Sequence, residues 1–441
     1  MTRTGERQAR HARPQERAAV VGLAYGARSR HVVEASLDEL AGLASTAGAT
    51  VMLRSVQERE NPSPALFLGR GKAEALAAAC AEAAIDLVVV DAELTPVQLR
   101  NLEKALDRRV VDRTQLILDI FASRARTREG RLQVELAQLR YLLPRLTGAG
   151  VALSRLGAGI GTRGPGETKL ESDRRRIRHR ITRLTHELEA VRRRRARSRD
   201  RRQKDAVPTV ALVGYTNAGK TSLFNRLTRS DALASSKLFA TLDPLVRPIR
   251  LPDRQTVLLS DTVGFIDRLP HTLVAAFRAT LEEVAEADLL LHVVDASHSA
   301  REERLAAVHR VLDEVGCAAV PQLLVFNKCD CMDDIDVARL SRSADAVCIS
   351  ARTGFGTDDL VRRVMRSVEM DTSRVTLEFD QSALDDRRRL AALHRHSRVL
   401  RQVAKGDRIS VEADVPRRLI PRLRPRSAAA SGTDREEAPR L

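Results

Sequence analysis

The stretch TVALVGYTNAGKT, residues Thr209–Thr221, decides the fold of the central part of this 441-residue chain. The run Thr209–Val213 is apolar and β-branched, which predicts a buried strand. The segment that follows, Gly214–Thr221, satisfies the pattern G-x-x-x-x-G-K-[ST]. In that pattern glycines let backbone N–H groups close around phosphates at a helix N-terminus. We therefore predict a phosphate loop between a parallel strand and a helix.

The side chains of this loop have distinct predicted roles. Lys220 supplies a positive charge to the outer phosphates, and the Thr221 hydroxyl ligates Mg²⁺. The predicted nucleotide contacts of the loop are Gly214, Tyr215, Thr216, Asn217, Ala218, Gly219, Lys220, Thr221 and Ser222.

A second motif identifies the base. Asn327-Lys328-Cys329-Asp330 follows the apolar run Leu323–Phe326 and has the N-K-x-D pattern. The carboxylate of Asp330 can accept both the N1–H and the 2-amino group of guanine, a pairing that adenine cannot offer. Asn327, Lys328 and Asp330 are therefore predicted base contacts, and a last contacting loop is predicted at Ser350, Ala351 and Arg352.

A third motif, Asp261-Thr262-Val263-Gly264, follows the run Val257–Leu259. Asp261 would hold Mg²⁺ through its hydration shell, and the Gly264 N–H would sense the γ-phosphate. With all motifs in order, residues 207–368 are predicted to form a GTPase domain with a mostly parallel sheet.

The region 18–128 alternates short apolar runs with helical patterns, which predicts a parallel α/β domain. The runs are Val20–Leu23, Val51–Val56, Leu87–Val90 and Val110–Val111, and the helical patterns are Ser36–Ala47, Lys72–Ala83, Thr95–Ala105 and Thr114–Ala122. Ser36 followed by Glu39 predicts a capping box at the start of the first helix.

Residues 129–206 show two leucine-rich seams at spacings of three and four, which predict an antiparallel helical hairpin. Pro144 is expected to kink or end the first arm. A glycine-rich basic tip spans 147–168, and the second arm carries 15 Lys and Arg against 3 acids between Arg174 and Lys204. We expect this arm to contact a polyanion, with RNA the leading candidate. The predicted RNA contacts are Arg155, Arg163, Arg174, Arg175, Arg176, Arg192, Arg193, Arg194 and Arg195.

The whole chain has a formal net charge of +17, which also favours an anionic partner, with a membrane surface the weaker alternative. No 18 apolar residues run together, so neither a transmembrane helix nor stable membrane insertion is expected. The five cysteines show no metal-ligand spacing and fit a reducing cytoplasm. Residues 1–17 and 427–441 are expected to be disordered tails.

Residues 373–422 predict a small α+β domain with apolar runs at Val375–Phe379 and Ile409–Val411 and a helical stretch at Leu384–Val403. The expected fold is thus multidomain α/β: a parallel α/β domain, a helical hairpin, a phosphate-loop GTPase domain and a small C-terminal domain. We expect a monomer.

The chain resembles the HflX family of ribosome-associated GTPases from about residue 18 to residue 420. The resemblance rests on the segments Arg124–Gly130, Leu132–Leu139, Gly161–Thr168, Asp173–Ile177, Phe239–Asp243 and Asp261–Ile266. The last two segments are similar to the family's two switches, and are called here the first and second switch. The resemblance implies that Thr241 closes on Mg²⁺ and the γ-phosphate, and that Phe239 and Ala240 also contact GTP.

The resemblance also implies docking on the large ribosomal subunit in the GTP state and the splitting of stalled or idle ribosomes under stress. Catalysis would then involve Lys220, Thr241 and Gly264. Asn217 occupies the position at which potassium-activated GTPases resemble one another in having Asn, so K⁺ is an alternative source of positive charge. ATP-dependent RNA remodelling by the N-terminal domain is a further possibility, but the sequence offers no second phosphate loop to locate it.

Two departures from the family pattern occur. Leu245-Val246-Arg247 stands where the family has a Thr-Thr-Arg-like run, and Arg155–Gly159 departs mildly from a Gln-Gly-Gly-Gly-like stretch. Ile266 occupies the slot where many GTPases place a water-orienting Gln, which predicts slow intrinsic hydrolysis that a partner accelerates. The alternatives are a ribosome-assembly or RNA-modification GTPase, and a nucleotide-gated RNA-binding scaffold with negligible turnover.

Overall fold

The structure is a computed structural model of the chain. It describes residues 15–147, 165–205, 207–230, 238–239, 241–242, 244–252, 256–268, 284–342, 346–369, 372–416 and 419–424. The chain divides into two compact units. The first comprises Met1–Val191, Ser235–Asp243 and Asp267–Arg278, and the second comprises Arg192–Ala234, Pro244–Ile266 and Ala279–Leu441.

The N-terminal part of the first unit is a four-stranded parallel sheet in the order β2-β1-β3-β4. The strands are β1 (Arg17–Ala24), β2 (Thr50–Glu58), β3 (Leu87–Val90) and β4 (Arg109–Asp112). The helices between and after them are α1 (Arg30–Ala47), α2 (Arg70–Glu82), α3 (Pro96–Leu106) and α4 (Arg113–Arg124). Each β3 residue is buried, as expected for a parallel strand that is covered on both faces. The predicted parallel β-α units are confirmed.

The predicted start of the first helix is wrong. Helix α1 begins at Arg30 after the N-cap Ser29, so Ser36 lies within the helix and does not cap it. The Ser36 side chain is buried and its hydroxyl donates to Asp91 instead. The capping box of this domain is at α3, where Thr95 and Gln98 bond reciprocally with each other's backbone N–H.

Two helices follow the first sheet. They are α5 (Arg128–Leu142), which passes into a 3-10 turn at Leu143–Thr147, and α6 (Pro165–Asp205). Leucines of the two helices share one buried cluster: Leu132, Leu136, Leu184 and Leu188. Arg180 of α6 forms a forked bond to Glu135 of α5 at 2.7 and 2.9 Å, and Arg128 pairs with Glu187, which fixes an antiparallel arrangement. Helix α5 ends next to Pro144, where the sequence predicts a break.

The second unit contains a six-stranded sheet in the order β10-β9-β8-β5-β7-β6. Its strands are β5 (Thr209–Val213), β6 (Leu245–Arg250), β7 (Thr256–Asp261), β8 (Leu289–Asp295), β9 (Gln322–Asn327) and β10 (Ala346–Cys348). Only the β6–β7 pair is antiparallel among these described strands. The helices are α7 (Lys220–Thr228), α8 (Arg301–Val315), α9 (Asp334–Leu340) and α10 (Thr357–Glu369).

The parallel strands of this sheet all point their carboxyl ends to one edge, where ligands bind in open α/β folds. The phosphate loop, the second switch and the N-K-x-D motif follow β5, β7 and β9 respectively. A buried apolar core on the sheet, including Val210, Leu223 and Leu259, holds these loops in place.

A three-stranded antiparallel sheet in the order β11-β13-β12 completes the second unit. It consists of β11 (Thr372–Asp380), β12 (Arg398–Lys405) and β13 (Arg408–Pro416), with helices α11 (Leu384–His396) and α12 (Ile420–Leu423). The predicted helix over Leu384–Val403 is therefore too long, because residues from Arg398 onward pair with β13 as a strand.

No helix within the part of the chain that the structure describes combines the length and the apolar character needed to cross a membrane.

Candidate nucleotide-binding site

The loop between β5 and α7 has a backbone that its glycines make possible. Gly214 has φ +149°, and a Cβ there would lie 2.2 Å from the Val293 carbonyl oxygen of β8. Gly219 has φ +94°, and a Cβ there would lie 2.2 Å from the Asn327 Nδ2 atom. Both positions therefore require glycine on steric grounds. The loop has the tight backbone that the predicted phosphate cradle requires, and its two glycines lie against Val293 and Asn327 of the neighbouring strands.

Lys220, the first residue of α7, is only 6% exposed. Its ammonium donates to the carbonyl oxygens of Gly214 and Tyr215, both at 2.9 Å. Burial lowers the pKa of Lys220 to about 8, and the Asp261 carboxylate opposes part of that shift. A phosphate group placed in the loop would stabilise the charged form, because an opposite charge nearby favours ionisation.

Thr221 and Asp261 form the oxygen-rich corner of the site. The Thr221 hydroxyl donates to Asp261 Oδ2 at 2.8 Å, and the Asp261 side chain is fully buried. The neighbouring Thr262 is also buried and donates to the Leu212 carbonyl oxygen at 2.6 Å, which fixes the end of β7. Hydroxyl and carboxylate oxygens suit Mg²⁺. The two residues therefore fit the metal that phosphate-loop GTPases use, which neutralises charge on the phosphates.

The second switch begins against the phosphate loop. Thr216 N–H donates to the Phe265 carbonyl at 2.7 Å, and Phe265 N–H donates to the Gly214 carbonyl at 3.1 Å. A Cβ at Gly264 would lie 3.1 Å from Lys220 Nζ, so the Gly264 backbone runs beside the lysine. Val263 and Ile266 have apolar side chains that are 9% and 1% exposed, so neither side chain can form a hydrogen bond with a water molecule.

The N-K-x-D motif is joined to both of its neighbouring loops by the side chain of Asn327. Its Nδ2 donates to the Ala218 carbonyl at 2.8 Å, and its Oδ1 accepts from Ala351 N–H at 2.9 Å. Lys328, with φ +66°, donates to Asp295 Oδ2 at 2.6 Å. The phosphate loop, the N-K-x-D motif and the last loop are thus one bonded assembly.

The neighbours of Asp330 favour its ionised carboxylate form. The Ser350 hydroxyl donates to its Oδ1 at 2.6 Å, and Arg352 pairs with its Oδ2. The Ser350 bond is the main cause that lowers the pKa of Asp330, and Arg352 contributes as well. Ionisation keeps both oxygens of Asp330 as acceptors, which is the form that the predicted contact with guanine requires.

The remaining loop residues have clear positions. Tyr215, Thr216 and Ala218 are buried, Asn217 is exposed with φ +62°, and Ser222 is half-buried in α7. The Arg304 guanidinium of α8 lies 4.8 Å from the centre of the Tyr215 ring.

The first switch is described in part. Phe239 is 2% exposed and its ring packs edge-on against Phe121 of α4, with 4.7 Å between the ring centres. Leu238 N–H donates to the Thr46 hydroxyl of α1 at 3.1 Å. Thr241 is half-buried in the first unit, and Ala240 lies outside the described residues. The predicted nucleotide contacts of Phe239, Ala240 and Thr241 stay predictions.

The predicted RNA contacts are spread along α6 and the preceding tip. Arg175, Arg176, Arg193 and Arg194 are exposed, and Arg174 is half-buried. Arg155 and Arg163 lie outside the described residues, as do the side chains of Arg192 and Arg195.

The structure adds two residues to the site that the sequence analysis missed. Asp295 is the last residue of β8, and its carboxylate accepts from Lys328. Its position at the carboxyl end of a parallel strand is the sequence feature that could have identified it as a site residue. Arg226 of α7 donates to the carbonyl oxygens of Ala351 and Arg352, at 3.2 and 2.6 Å. These bonds hold the last loop, and no spacing rule links Arg226 to a residue more than a hundred positions away.

Comparison with known families agrees with this geometry. Residues 34–122 match the family described as GTP-binding GTPase N-terminal, and residues 124–202 match the GTP-binding GTPase Middle Region. Residues 209–328 match the family described as 50S ribosome-binding GTPase.

Similar proteins are found in several bacteria. The GTPase HflX of Caldanaerobacter subterraneus subsp. tengcongensis is 46% identical over 413 residues, which cover 94% of each chain. The GTPase HflX of Escherichia coli K12 is 47% identical over 347 residues, covering 78% of this chain and 81% of the relative.

Among solved structures, a GTP-binding protein from Sulfolobus solfataricus in complex with GDP is 24% identical, with a TM-score of 0.43. The match covers 80% of this chain and 98% of that one. The sequence relatives and the bonded guanine and phosphate loops agree: this chain is a GTP hydrolase that belongs to the HflX family of GTPases.

Proposed function

We propose that this GTPase binds the large ribosomal subunit in a GTP-gated manner and dissociates stalled or idle ribosomes under stress. It would do so as a monomer in the cytoplasm, with hydrolysis to GDP and phosphate stimulated by the ribosome. The observation that carries the proposal is the exposed arginine surface of α6, joined in one chain to a nucleotide-binding site.

Three arginines of α6 are available because other residues do the packing of the described part of the helix. Leu184 and Leu188 face α5, and Arg180 is used by Glu135. Arg175, Arg193 and Arg194 are exposed along the rest of the helix. A row of guanidinium groups of this kind suits phosphate backbones, with an affinity that depends on salt. These exposed arginines support a polyanionic ligand, and we propose that this ligand is ribosomal RNA.

The comparisons support the same partner. The family matched by residues 209–328 is described as a 50S ribosome-binding GTPase. The Middle Region family covers α5 and most of α6, so the arginine surface belongs to a region that this family shares and not to an added tail.

Hydrolysis is expected to wait for this partner. Phe265 and Ile266, the two residues after Gly264, are apolar and buried, so neither side chain can orient an attacking water. The ribosome would therefore order the switches or supply the missing group. A potassium ion is a second source of charge, since Asn217 is exposed at the loop position that would hold it.

The test is multiple-turnover GTP hydrolysis with and without purified large ribosomal subunits, in potassium and in sodium buffer, with ATP as the control nucleotide. We expect strong stimulation of GTP hydrolysis by the subunits, and no ATP turnover. Binding of GTP without stimulation would instead favour a scaffold, or an assembly factor activated by another RNA. Equal rates in the two buffers would exclude the potassium hypothesis.

A variant ties the result to α6. Replacing Arg175, Arg193 and Arg194 with Ala should weaken subunit binding and reduce the slope of log affinity against log salt by about one for each phosphate that is no longer neutralised. GTP affinity should not change. Arg140→Ala, an exposed arginine on α5, is the matched control. Unchanged co-sedimentation of the triple variant with subunits would contradict the RNA role of α6.

A further inference from the structure

A buried carboxylate in the N-terminal domain collects an unusual number of positive partners. Asp91 directly follows β3 and is fully buried. Its oxygens accept from Arg28 at 2.8 Å, from Arg113 at 3.1 Å and from Arg268 at 3.3 Å. The Ser36 hydroxyl donates at 2.7 Å. A buried carboxylate with this many donors is a fixed point of the structure.

Arg268 is the partner that comes from a distant part of the chain. It follows Gly264 of the second switch by four positions, and its side chain is 36% exposed. Besides Asp91, it bonds to the Ser36 hydroxyl. The residue before it is held as well, because Arg113 donates to the Asp267 carbonyl oxygen at 3.2 Å. Asp267 and Arg268, which directly follow the second switch and belong to the first unit, are therefore bound by other side chains of that unit.

The backbone at Arg268 needs this support. Its φ is +53°, in the left-handed region that is unfavourable for residues with a Cβ. Such conformations persist when neighbouring contacts determine them, and they are found at switch regions. Without the Asp91 and Ser36 bonds, the chain after Ile266 would relax toward other conformations.

The start of the same segment is fixed separately. Phe265 exchanges two backbone hydrogen bonds with the phosphate loop, at 2.7 and 3.1 Å. Gly264, the predicted sensor of the γ-phosphate, lies directly before Phe265. Asp267 and Arg268 follow after one further residue. The segment from Gly264 to Arg268 is thus hydrogen-bonded to the phosphate loop at Phe265 and to Asp91 and Ser36 at Arg268.

We propose that Arg268 is a positioning residue for GTP hydrolysis: bound by Asp91 and Ser36, it fixes the chain directly after the second switch and thereby limits the positions open to the Gly264 amide. A hydrogen-bond donor aimed in advance at the developing charge accelerates the chemical step, because little reorganisation is needed when the reaction occurs. A donor on a loosened segment loses that advantage without any change in how the base and the inner phosphates are bound. The proposal rests on the predicted role of Gly264 and does not depend on the ribosome.

The test is single-turnover GTP hydrolysis by the full-length protein in excess over GTP, without ribosomes. Arg268→Ala should lower the hydrolysis rate constant about tenfold. GDP affinity should stay within about twofold, because GDP makes no use of a γ-phosphate sensor. Arg268→Lys keeps the charge but loses the forked geometry, so its rate constant should lie between those of the original protein and Arg268→Ala.

Ser36→Ala supplies the second variant. It removes one hydroxyl from the same network, so it should lower the rate less than Arg268→Ala does. The two substitutions together should be no slower than Arg268→Ala alone, because both act through one contact. Arg30→Ala, an arginine of α1 that pairs with Glu34 at the surface, is the control and should hydrolyse GTP at the original rate.

Thermal unfolding of each variant separates positioning from damage to the fold. A rate for Arg268→Ala that is unchanged or higher, at an unchanged melting temperature, would overturn the proposal. So would additive effects of Arg268→Ala and Ser36→Ala on the rate constant. A fall in GDP affinity equal to the fall in rate would show that Arg268 supports the whole site rather than the γ-phosphate sensor.

Discussion

The parallel sheet of the N-terminal domain and the mostly parallel sheet of the GTPase domain both carry acidic residues at the carboxyl ends of their strands, but these residues have different partners. In the N-terminal sheet, Asp91 and Asp112 at the ends of β3 and β4 are bound by arginines. In the GTPase sheet, Asp261 at the end of β7 accepts from the Thr221 hydroxyl, and Asp295 at the end of β8 accepts from Lys328.

The difference shows that an acidic residue at a strand end is not by itself a ligand site. Asp91 accepts from three guanidinium groups and one hydroxyl, so its oxygens are already occupied by partners from the protein itself. Asp261 accepts from the neutral Thr221 hydroxyl, and hydroxyl and carboxylate oxygens together suit Mg²⁺. We therefore interpret the ion pairs of Asp91 and Asp112 as a structural cluster, called the clamp below, and the GTPase edge as the ligand site.

The largest expected effect is on the site. Lys220→Ala removes the buried charge that faces the phosphates, and should lower GTP affinity about 1,000-fold, or about 4 kcal/mol. Titration with a fluorescent GDP or GTP analogue measures it. Lys104→Ala, an exposed lysine of α3, is the control. A loss of GTP affinity below about tenfold would mean that Lys220 contributes little to binding, and that the carboxyl edge of the GTPase sheet is not the ligand site that we infer.

A substitution in the clamp should lower the stability of the fold and leave nucleotide affinity unchanged. Arg145 donates to Asp112 Oδ2 at 3.0 Å and to the carbonyl oxygens of Leu94 and Tyr141, both at 2.9 Å. Arg145→Met leaves the buried Asp112 without its ion pair and should lower the free energy of unfolding by about 3 kcal/mol. Urea denaturation followed by circular dichroism measures this change.

Arg145→Met also tests whether the N-terminal edge takes part in nucleotide binding. GDP affinity of Arg145→Met should equal that of the original protein at temperatures where both are folded. Arg140→Met, at an exposed position of α5, should change neither quantity. A loss of nucleotide affinity without a loss of stability would show that the N-terminal edge takes part in binding.

The third prediction concerns the base. Asp330→Asn replaces an acceptor of two guanine donors with an amide that offers N–H groups, and should weaken GDP binding about 100-fold. A xanthine nucleotide carries a 2-oxo group at that position and should bind the variant better than GDP does. Competition calorimetry with both nucleotides measures the exchange of preference, with Asp333→Asn as the control. Equal weakening for the two nucleotides would mean that Asp330 does not face the base edge.

The smallest effect is a pH dependence. Lys220 has a pKa of about 8 in the nucleotide-free protein, and phosphate binding requires its charged form. Below pH 7 the lysine is already protonated, and affinity should be flat. As the pH rises above 8, binding must take up a proton, and affinity should fall by up to about tenfold per pH unit.

Calorimetry of GDP binding at pH 8.5 in two buffers of different ionisation enthalpy should detect this proton uptake. Guanosine, which has no phosphates, should bind without it. The absence of proton uptake by GDP would show that Lys220 keeps its proton despite its burial.

The sequence predicted the elements that carry a local signal. The strand at Thr209–Val213 is confirmed residue for residue, and Leu87–Val90 is likewise confirmed, because short apolar runs bounded by turns have few other solutions. The glycine positions of the phosphate loop were also readable, since their spacing follows from the backbone geometry that the loop requires.

Features that depend on distant pairing were not readable. Arg398–Lys405 has no strand periodicity strong enough to oppose its helix-forming residues, and only its pairing with β13 makes it a strand. Ser36 has the local signature of a helix cap, but its partner is Asp91, more than fifty positions away. The bonds of Arg268 to Asp91 and of Arg226 to the last loop are of the same kind.

The single amide of Asn327 has a consequence for how nucleotide leaves. It bonds the phosphate loop at Ala218 and the last base loop at Ala351, so neither loop can open far while the other stays closed. We therefore expect release of the base end and release of the phosphate end to be coupled. GDP dissociation should follow a single exponential, and replacing Asn327 should divide it into two phases.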